Sequence, residues 1–268
     1  MAIKLVVSDI DGTLIDSTET VSQELVEIVK KCREQGVVFS FATGRTKELT
    51  TKLVRTLDIT DPYVISNGAC IFQGEKCLVS HSFSVEDLLP VLRRADAAGL
   101  TVTLADEWTE RALRLTDYVR SHQKFGDRFQ SFIDLDTFDW TNARFVKVMF
   151  MDEHRTGRIH AFREELLRDF SDRYWVTTYA DAAVELGPLG CNKMTGVREL
   201  AELLKIQQQN VMACGDFEND LEMVEYAGVG VAVQNACDML KARADYVASN
   251  PCSYGVVEAI ENFCFGGI

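Results

Sequence analysis

Two aspartates separated by a single residue stand near the start of the chain. The motif Asp9-Ile10-Asp11-Gly12 directly follows a short apolar run, residues 3–8, that is typical of a buried strand. Two carboxylates at this spacing can share one metal ion and one substrate, and the glycine permits a tight turn away from the strand. A solvated Asp-Gly turn would have the same sequence, so this motif alone does not establish a site.

A second motif, Ala42-Thr43-Gly44-Arg45, follows another apolar run at residues 37–42. A hydroxyl group and a free backbone amide at the end of a strand suit the oxygens of a phosphate group. Threonine and glycine also serve to cap helices at such turns, so this motif is weak by itself.

Two further features lie in the C-terminal part of the chain. Lys193 stands at the predicted start of a helix, where its charge opposes the helix dipole, and this favours a functional reason for the lysine. The acidic motif Gly215-Asp216-Phe217-Glu218-Asn219-Asp220 follows the apolar run 211–214. Its carboxylates could ligate Mg²⁺ together with Asp9 and Asp11, although acids are also common in the first turn of a helix.

The elements around these motifs predict how they are brought together. Predicted strands at 3–8, 37–42 and 63–66 alternate with helices, and the alternation returns after Lys193. There the predicted strands are 211–214, 229–233 and 245–247, and the helices lie near 219–226, 235–243 and 255–264. This alternation predicts an α/β, Rossmann-like parallel sheet with helices on both faces. Because ligands bind beyond the carboxyl ends of such strands, we expect the motifs to meet at one edge of the sheet.

The middle of the chain has a different pattern. A predicted helix containing Leu88 and Leu92 is followed by strands at 100–104, 145–150 and 174–179, with a helix at about 155–170. We interpret this region as an inserted α+β domain. The predicted domain bounds are therefore 1–82 and 188–268 for the core, and 83–187 for the insertion.

Composition excludes several classes of function. The 268 residues carry a net charge of −13, which argues against nucleic acid and anionic membrane surfaces as partners. No run reaches the roughly 20 apolar residues of a membrane helix, and the first residues lack the features of a signal peptide, so a cytoplasmic protein is expected. An anionic substrate would need local positive charge, which Lys193 or a metal ion would supply.

Cysteine and histidine do not indicate a metal site. The eight cysteines form no CxxC pair and the four histidines no HExxH motif, so reduced thiols are expected. Carboxylate oxygens are hard ligands, and they predict Mg²⁺ as the cofactor.

Taken in order, the motifs DIDGTL (9–14), ATGR (42–45), Lys193 and GDFEND (215–220) resemble the signature of the haloacid dehalogenase-like hydrolase superfamily. The segments ISNGA (65–69), VAVQNA (231–236) and SYGVV (253–257) are similar to segments of its Cof-type branch. Met194 stands where that branch usually has glycine, and Gln234 replaces its usual Met-Gly. The insertion lies where the branch carries its large α/β cap, which governs substrate specificity.

The resemblance implies a role for each matching residue. Asp9 would attack phosphorus and form an aspartyl-phosphate, while Asp11 would protonate the leaving oxygen and then activate water. The residues expected to ligate Mg²⁺ are Asp9, Asp11, Asp216 and Asp220. The residues expected to bind phosphoryl oxygens are Thr43, Gly44, Lys193 and Asn219. Arg45 and Asn67 are expected to face the substrate.

The sequence therefore predicts a Mg²⁺-dependent phosphatase for a small phosphorylated metabolite, with sugar phosphates first and flavin mononucleotide or pyridoxal phosphate as rivals. A phosphomutase and a non-catalytic sensor of a phosphorylated ligand are the alternatives, and the intact pair Asp9 and Asp11 argues against the sensor. Several residues of the insertion could contact substrate, although most are expected to be core or ordinary surface: Trp108, Arg111, Arg114, His122, Lys124, Trp140 and Arg144.

Overall fold

The computed structural model describes residues 2–16, 20–123, 128–179 and 181–266. Within these residues the strands are β1 (Leu5–Ser8), β2 (Val38–Phe41), β3 (Tyr63–Ile65), β4 (Cys70–Gln73), β5 (Lys76–Ser80), β6 (Thr101–Ala105), β7 (Glu110–Ala112), β8 (Lys147–Met151), β9 (Tyr174–Tyr179), β10 (Ala183–Pro188), β11 (Val211–Gly215), β12 (Val229–Ala232) and β13 (Tyr246–Val247). The helices are α1 (Gln23–Glu34), α2 (Lys47–Thr56), α3 (Leu89–Ala97), α4 (Asp117–His122), α5 (Ile159–Asp169), α6 (Lys193–Leu203), α7 (Leu221–Tyr226), α8 (Asp238–Lys241) and α9 (Cys252–Cys264).

The chain divides into two compact units. The first comprises Met1–Arg45, Thr51–Val79 and Asn192–Ile268, and the second comprises Thr46–Thr50 and Ser80–Cys191. The predicted bounds of core and insertion fall a few residues from these divisions. The start of α2 groups with the second unit, which the sequence did not indicate.

The first unit contains a five-stranded parallel sheet in the order β13-β12-β11-β1-β2. Leu5 of β1 lies opposite Val211 on one side and Val38 on the other. The strand β1 is fully buried, as expected for a short apolar run inside a parallel sheet that is covered on both faces. The ends of β1, β2 and β11 therefore lie side by side, where the sequence places three of its motifs.

Helix α1 shows how the helices of this unit form. Ser22 caps its start by accepting a hydrogen bond from the amide of Leu25, with an N–Oγ distance of 3.2 Å. The residues Leu25, Ile28, Val29 and Cys32 recur at helical spacing and are buried. Helix α1 packs against the C-terminal helix α9.

A small antiparallel sheet, in the order β3-β4-β5, extends the first unit. Its strand β3 lies next to the end of β2 through a parallel bridge between Ala42 and Val64. The strand β3 was predicted, whereas β4 and β5 were not.

The second unit contains a five-stranded sheet in the order β7-β6-β8-β10-β9, with antiparallel pairing throughout. Alternate residues of β6, β8 and β10, such as Leu104, Val148 and Leu186, join the hydrophobic cluster that includes Leu92 of α3 and Leu166 of α5. The predicted class, a parallel α/β core with an additional α+β region, is confirmed.

One observation bears on membranes. In the part of the chain that the structure describes, no helix has both the length and the apolar character needed to cross a bilayer.

Candidate active site

The loop after β1 carries the two aspartates of the first motif. The amide of Asp9 donates to the carbonyl of Cys214 at 2.9 Å, which continues the parallel ladder with β11. The chain then turns tightly: the amide of Leu14 donates to the Ile10 carbonyl at 2.9 Å, and Gly12 has φ of +86°. This turn leaves Asp9 buried, with 5% of its surface exposed.

Lys193 joins two carboxylates from different parts of the chain. Its Nζ lies 2.6 Å from Oδ1 of Asp9 and 2.6 Å from Oδ1 of Asp220. The three side chains are 2%, 7% and 0% exposed, so these are hydrogen-bonded ion pairs shielded from water. The structure thus brings together three residues that the sequence assigned to separate motifs.

The close approach of α6 places Lys193 in this cluster. Lys193 is the first residue of α6, and Asn192 caps the helix by accepting from the Thr195 amide. A Cβ atom at Gly196 would lie 2.8 Å from the Cα of Gly68, and one at Gly68 would lie 2.0 Å from the carbonyl oxygen of Asn192. Two glycines are therefore needed where the helix meets the turn after β3.

The charges of this cluster do not balance, because one ammonium group serves two buried carboxylates. Burial raises the pKa of Asp9 to about 7, Lys193 opposes this rise and Asp220 adds to it. Burial also disfavours the charge on Lys193, but Asp220 and Asp9 together hold its pKa above the ordinary value. The lysine is thus charged, and the surplus negative charge rests on the aspartates.

The acidic motif after β11 folds around Asp220. Its Oδ2 accepts hydrogen bonds from the amides of Asp216 at 3.0 Å and Phe217 at 3.1 Å. Asp216 is also held by Thr13, whose hydroxyl donates to Oδ1 at 2.9 Å. Burial raises the pKa of Asp216, so its carboxylate, like that of Asp9, is ionised at a cost that a nearby cation would offset.

Asp9, Asp216 and Asp220 form a group that suits a hard divalent cation. Each offers a carboxylate oxygen, and these oxygens lie within 4.8 Å of one another. Both oxygens of Asp220 already accept hydrogen bonds, from Lys193 and from the two amides. Asp9 and Asp216 are therefore the better direct ligands, and Asp220 holds them in position. Oxygen donors alone fit Mg²⁺.

Asp11 lies outside this group and pairs with Arg45. The guanidinium donates two hydrogen bonds to its carboxylate, from Nε to Oδ2 at 2.9 Å and from Nη2 to Oδ1 at 2.5 Å. The Asp11 side chain is 59% exposed, in contrast to buried Asp9. Arg45, expected to face the substrate, here orients a second carboxyl group close to the first.

The Thr43-Gly44 turn is joined to an unusual turn after β3. Ser66, Asn67 and Gly68 have φ of +50°, +53° and +91°, a left-handed conformation that non-glycine residues adopt at a cost. The amide of Asn67 donates to the Thr43 carbonyl at 2.9 Å, and a side chain added at Gly44 would lie 3.1 Å from Asn67 Oδ1. The structure thus brings Asn67 to the predicted phosphate-binding turn.

The remaining site residue, Asn219, is exposed in the 3₁₀ turn Glu218–Asp220. Thr13 was not singled out from the sequence, although it belongs to the DIDGTL motif. Its hydroxyl, two residues after Asp11, was the feature that could have indicated a hydrogen-bonding role in the site.

The residues suggested in the insertion have varied surroundings. Trp140 lies in the hydrophobic cluster of the second unit, and Trp108 is 46% exposed. Arg111 pairs with Asp106, and Arg114 pairs with Asp96. Arg144 is exposed, a ring nitrogen of His122 contacts the Tyr118 carbonyl, and Lys124 lies outside the described residues.

The sequence matches a known protein family over most of its length. The family model for haloacid dehalogenase-like hydrolases matches residues 6–260. The chain belongs to this family. The predicted resemblance is therefore confirmed.

Individual relatives agree with the family. The chain is 26% identical over 266 residues to the 5-amino-6-(5-phospho-D-ribitylamino)uracil phosphatase YcsE of Bacillus subtilis, covering 97% of this chain and 96% of that protein. It is 28% identical over 265 residues to a phosphoglycolate phosphatase of Methanobrevibacter smithii, covering 98% and 99%. A crystal structure of a haloacid dehalogenase-like hydrolase from Bacteroides thetaiotaomicron matches with a TM-score of 0.84 and 26% identity, covering 97% and 99%. The predicted enzyme class, a phosphatase of this superfamily, is confirmed.

Proposed function

We propose that this hydrolase is a Mg²⁺-dependent phosphatase that cleaves a small phosphate monoester through an aspartyl-phosphate on Asp9. The observation that carries the proposal is the buried cluster of Lys193 with Asp9 and Asp220. A carboxylate fixed at 2.6 Å from an ammonium group, beside a second acid at Asp216, suits attack on a charged phosphoryl group.

The two aspartates of the first motif have different surroundings, which supports different roles. A carboxylate oxygen of Asp9 forms a bond to phosphorus while the bond from phosphorus to the leaving oxygen breaks. Asp11, more exposed and oriented by Arg45, donates a proton to that leaving oxygen. It then takes a proton from the water that attacks the aspartyl-phosphate, which releases inorganic phosphate and restores Asp9.

Positive charge for this reaction comes from two sources. When bound by Asp9 and Asp216, Mg²⁺ supplies charge that favours the ionised carboxylates and neutralises phosphoryl oxygens. Lys193 supplies a fixed charge on the side of Asp9 and Asp220. The groups proposed to bind the phosphoryl oxygens are Thr43, Gly44, Lys193 and Asn219, and those proposed to face the substrate are Arg45 and Asn67.

A sugar phosphate is the proposed substrate class. The two relatives described above are named for a phosphorylated ribityl compound and for phosphoglycolate, both small phosphate monoesters. The second unit is proposed to select among such molecules.

The first test is a screen for released phosphate. The purified protein is freed of metal with EDTA, returned to Mg²⁺, and incubated with sugar phosphates, phosphoglycolate, flavin mononucleotide and pyridoxal phosphate. We expect turnover only with Mg²⁺. Full activity in EDTA would contradict the metal requirement, and formation of an isomer without free phosphate would indicate a phosphomutase.

The second test identifies the attacking residue. Beryllium fluoride imitates a phosphoryl group on a carboxylate, and a crystal structure with Mg²⁺ and beryllium fluoride would show which aspartate carries it. We expect density joined to Asp9. Density joined to Asp11 would reverse the assignment of the two roles.

A further inference from the structure

The loop that follows β12 contacts both carboxylate loops of the candidate site. Asn235, in this loop, donates from Nδ2 to the carbonyl oxygen of Gly12 at 2.9 Å. Two residues later, the amide of Cys237 donates to the carbonyl oxygen of Asp216 at 2.9 Å. One short segment therefore holds the backbone of the Asp9 loop and that of the Asp216 loop.

Asn235 also connects this region to a long helix. Its Oδ1 accepts a hydrogen bond from the amide of Cys252, the first residue of α9, at 2.8 Å. The first amides of a helix have no partner within the helix, so this contact satisfies one of them. Because α9 buries Val256, Ala259 and Ile260, it is a firm support for the Asn235 side chain.

Gly12 lies directly against the side chain of Asp216. A Cβ atom at Gly12 would lie 2.3 Å from Oδ2 of Asp216, so the two residues are already in tight contact. The next residue, Thr13, donates its hydroxyl to Asp216 Oδ1 at 2.9 Å. A shift of the Gly12 carbonyl would therefore move a carboxylate that the proposed metal site needs.

We propose that Asn235 is a positioning residue, which sets the divalent-cation affinity of Asp9 and Asp216 by holding the Gly12 loop to helix α9. Its amide does not need to contact the ion or the substrate. The inference rests on the proposed function, since the cation is taken to act in phosphate-ester hydrolysis. Groups that orient metal ligands in this way contribute about 10–100-fold to metal affinity or activity.

The decisive variant is Asn235→Ala, with Asn210→Ala as the matched control. Asn210 also donates its side-chain amide to a backbone carbonyl, that of Ala2, at 2.7 Å. It directly precedes β11, at the end of the sheet opposite the candidate site. Both substitutions remove one such hydrogen bond in the same unit, but only Asn235→Ala removes a contact to the Asp9 loop.

Two measurements are made on wild type and both variants. Binding of Mn²⁺, which takes similar oxygen ligands, is followed by electron paramagnetic resonance without substrate. The Mg²⁺ concentration for half-maximal phosphate release is measured with the best substrate of the screen. For Asn235→Ala we expect the Mn²⁺ dissociation constant and the half-maximal Mg²⁺ concentration each to rise about tenfold. We expect kcat at saturating Mg²⁺ to stay close to wild type. Asn210→Ala should match wild type.

A second variant separates the two contacts of Asn235. Asn235→Asp keeps an oxygen for the Cys252 amide but loses the donor to Gly12. Its added negative charge would by itself strengthen cation binding, so a weaker affinity would show that the Gly12 contact matters. This variant also decides the question if Asn235→Ala unfolds.

The outcomes separate the inference from the proposed function. A wild type that neither binds Mn²⁺ nor releases phosphate would overturn both. An active wild type, with Asn235→Ala equal to Asn210→Ala, would overturn the role of Asn235 alone.

Discussion

Both units of the molecule bury a cluster of charged side chains, but acids outnumber the cation in one cluster and cations surround an acid in the other. In the first unit, Lys193 serves two carboxylates, those of Asp9 and Asp220. In the second, Glu110 accepts from the guanidinium of Arg128, with N–O distances of 2.9 and 2.8 Å, and Lys147 adds a second positive charge nearby.

The pKa values of the two buried acids, Glu110 and Asp9, shift in opposite directions. Burial tends to raise the pKa of both acids. In Glu110 the effect of burial is outweighed by Lys147 and Arg128, together with a hydrogen bond from the Thr103 hydroxyl, so its pKa is lowered. In Asp9 burial prevails and the pKa rises to about 7. Nearby cations therefore favour the charged form of Glu110, whereas the charged form of Asp9 would be favoured by further positive charge.

Loss of the nucleophile should have the largest effect. Asp9→Asn leaves the second cluster intact but removes the carboxylate that attacks phosphorus, and we expect kcat to fall by at least about 10⁴-fold. Asp11→Asn keeps the nucleophile and should lose about 10²–10⁴-fold. Phosphate release at saturating Mg²⁺ measures both. Substantial turnover by Asp9→Asn would contradict the covalent mechanism.

Breaking the cluster around Glu110 should mainly affect stability. Arg128→Met leaves Glu110 buried with a weaker set of partners, which typically costs about 3–5 kcal/mol in free energy of unfolding. Urea denaturation measures the loss. Adding Glu110→Gln to Arg128→Met removes the unpaired charge and should recover part of it. A loss below about 1 kcal/mol for Arg128→Met would show that the ion pair between Arg128 and Glu110 contributes little to stability.

In the cluster around Asp9, removing a charge should instead raise the free energy of unfolding of the metal-free protein. Because the folded pKa of Asp9 is raised from 3.8 to about 7, its stabilising contribution is complete below pH 4 and is lost as pH rises through 7. Asp9→Asn removes this charge, so it should stabilise the EDTA-treated protein at pH 8 by about 1–3 kcal/mol. Urea unfolding at pH 5 and pH 8 tests this. A variant less stable than wild type at pH 8 would refute it.

Glu110→Gln makes the same change in the second unit as Asp9→Asn makes in the first, since each replaces a buried carboxylate by an amide. The lowered pKa of Glu110 means that its contribution is present above its ordinary value of 4.5 and is lost at lower pH. This substitution should therefore destabilise the protein at neutral pH, in contrast to Asp9→Asn.

The smallest expected effect concerns the support of Asp216. Thr13→Val keeps the shape of this fully buried side chain but removes the hydrogen bond to Oδ1. A net loss of about 1 kcal/mol corresponds to roughly a fivefold higher Mg²⁺ requirement. Thr13→Ser retains the hydroxyl and should stay near wild type. Equal Mg²⁺ requirements for Thr13→Val and Thr13→Ser would show that the bond does not support the site.

Much of the fold could be predicted because its signals are local. The strands that end at Ser8, Phe41 and Gly215 are apolar runs bounded by turn residues, and parallel pairing then places their motifs together. The hairpin of β4 and β5 escaped prediction because its strands are short and only one is largely buried. A pattern of alternating polarity was too weak there to indicate a strand.

The site was predictable in its residues more than in their contacts. The sequence grouped Asp11 with the metal ligands, but which carboxylate turns toward Arg45 and which toward Lys193 depends on side-chain packing across distant loops. The supporting residues Thr13 and Asn235 lie within the motifs DIDGTL and VAVQNA, but they carry no charge, and the sequence alone does not show which backbone or carboxylate each one contacts. Likewise, no local signal assigns the start of α2 to the second unit.

The position of β1 between β2 and β11 has a consequence for the order in which the molecule is made. Asp9 and its partner Lys193 are 184 positions apart, and the inner neighbour β11 comes later still. While the ribosome is producing the second unit, β1 can pair with β2 but lacks its other neighbour. The second unit can complete its own sheet first, because all five strands lie within one stretch of chain. The cluster of Asp9, Lys193 and Asp220 therefore closes late in synthesis, once α6 and β11 have been added after the second unit.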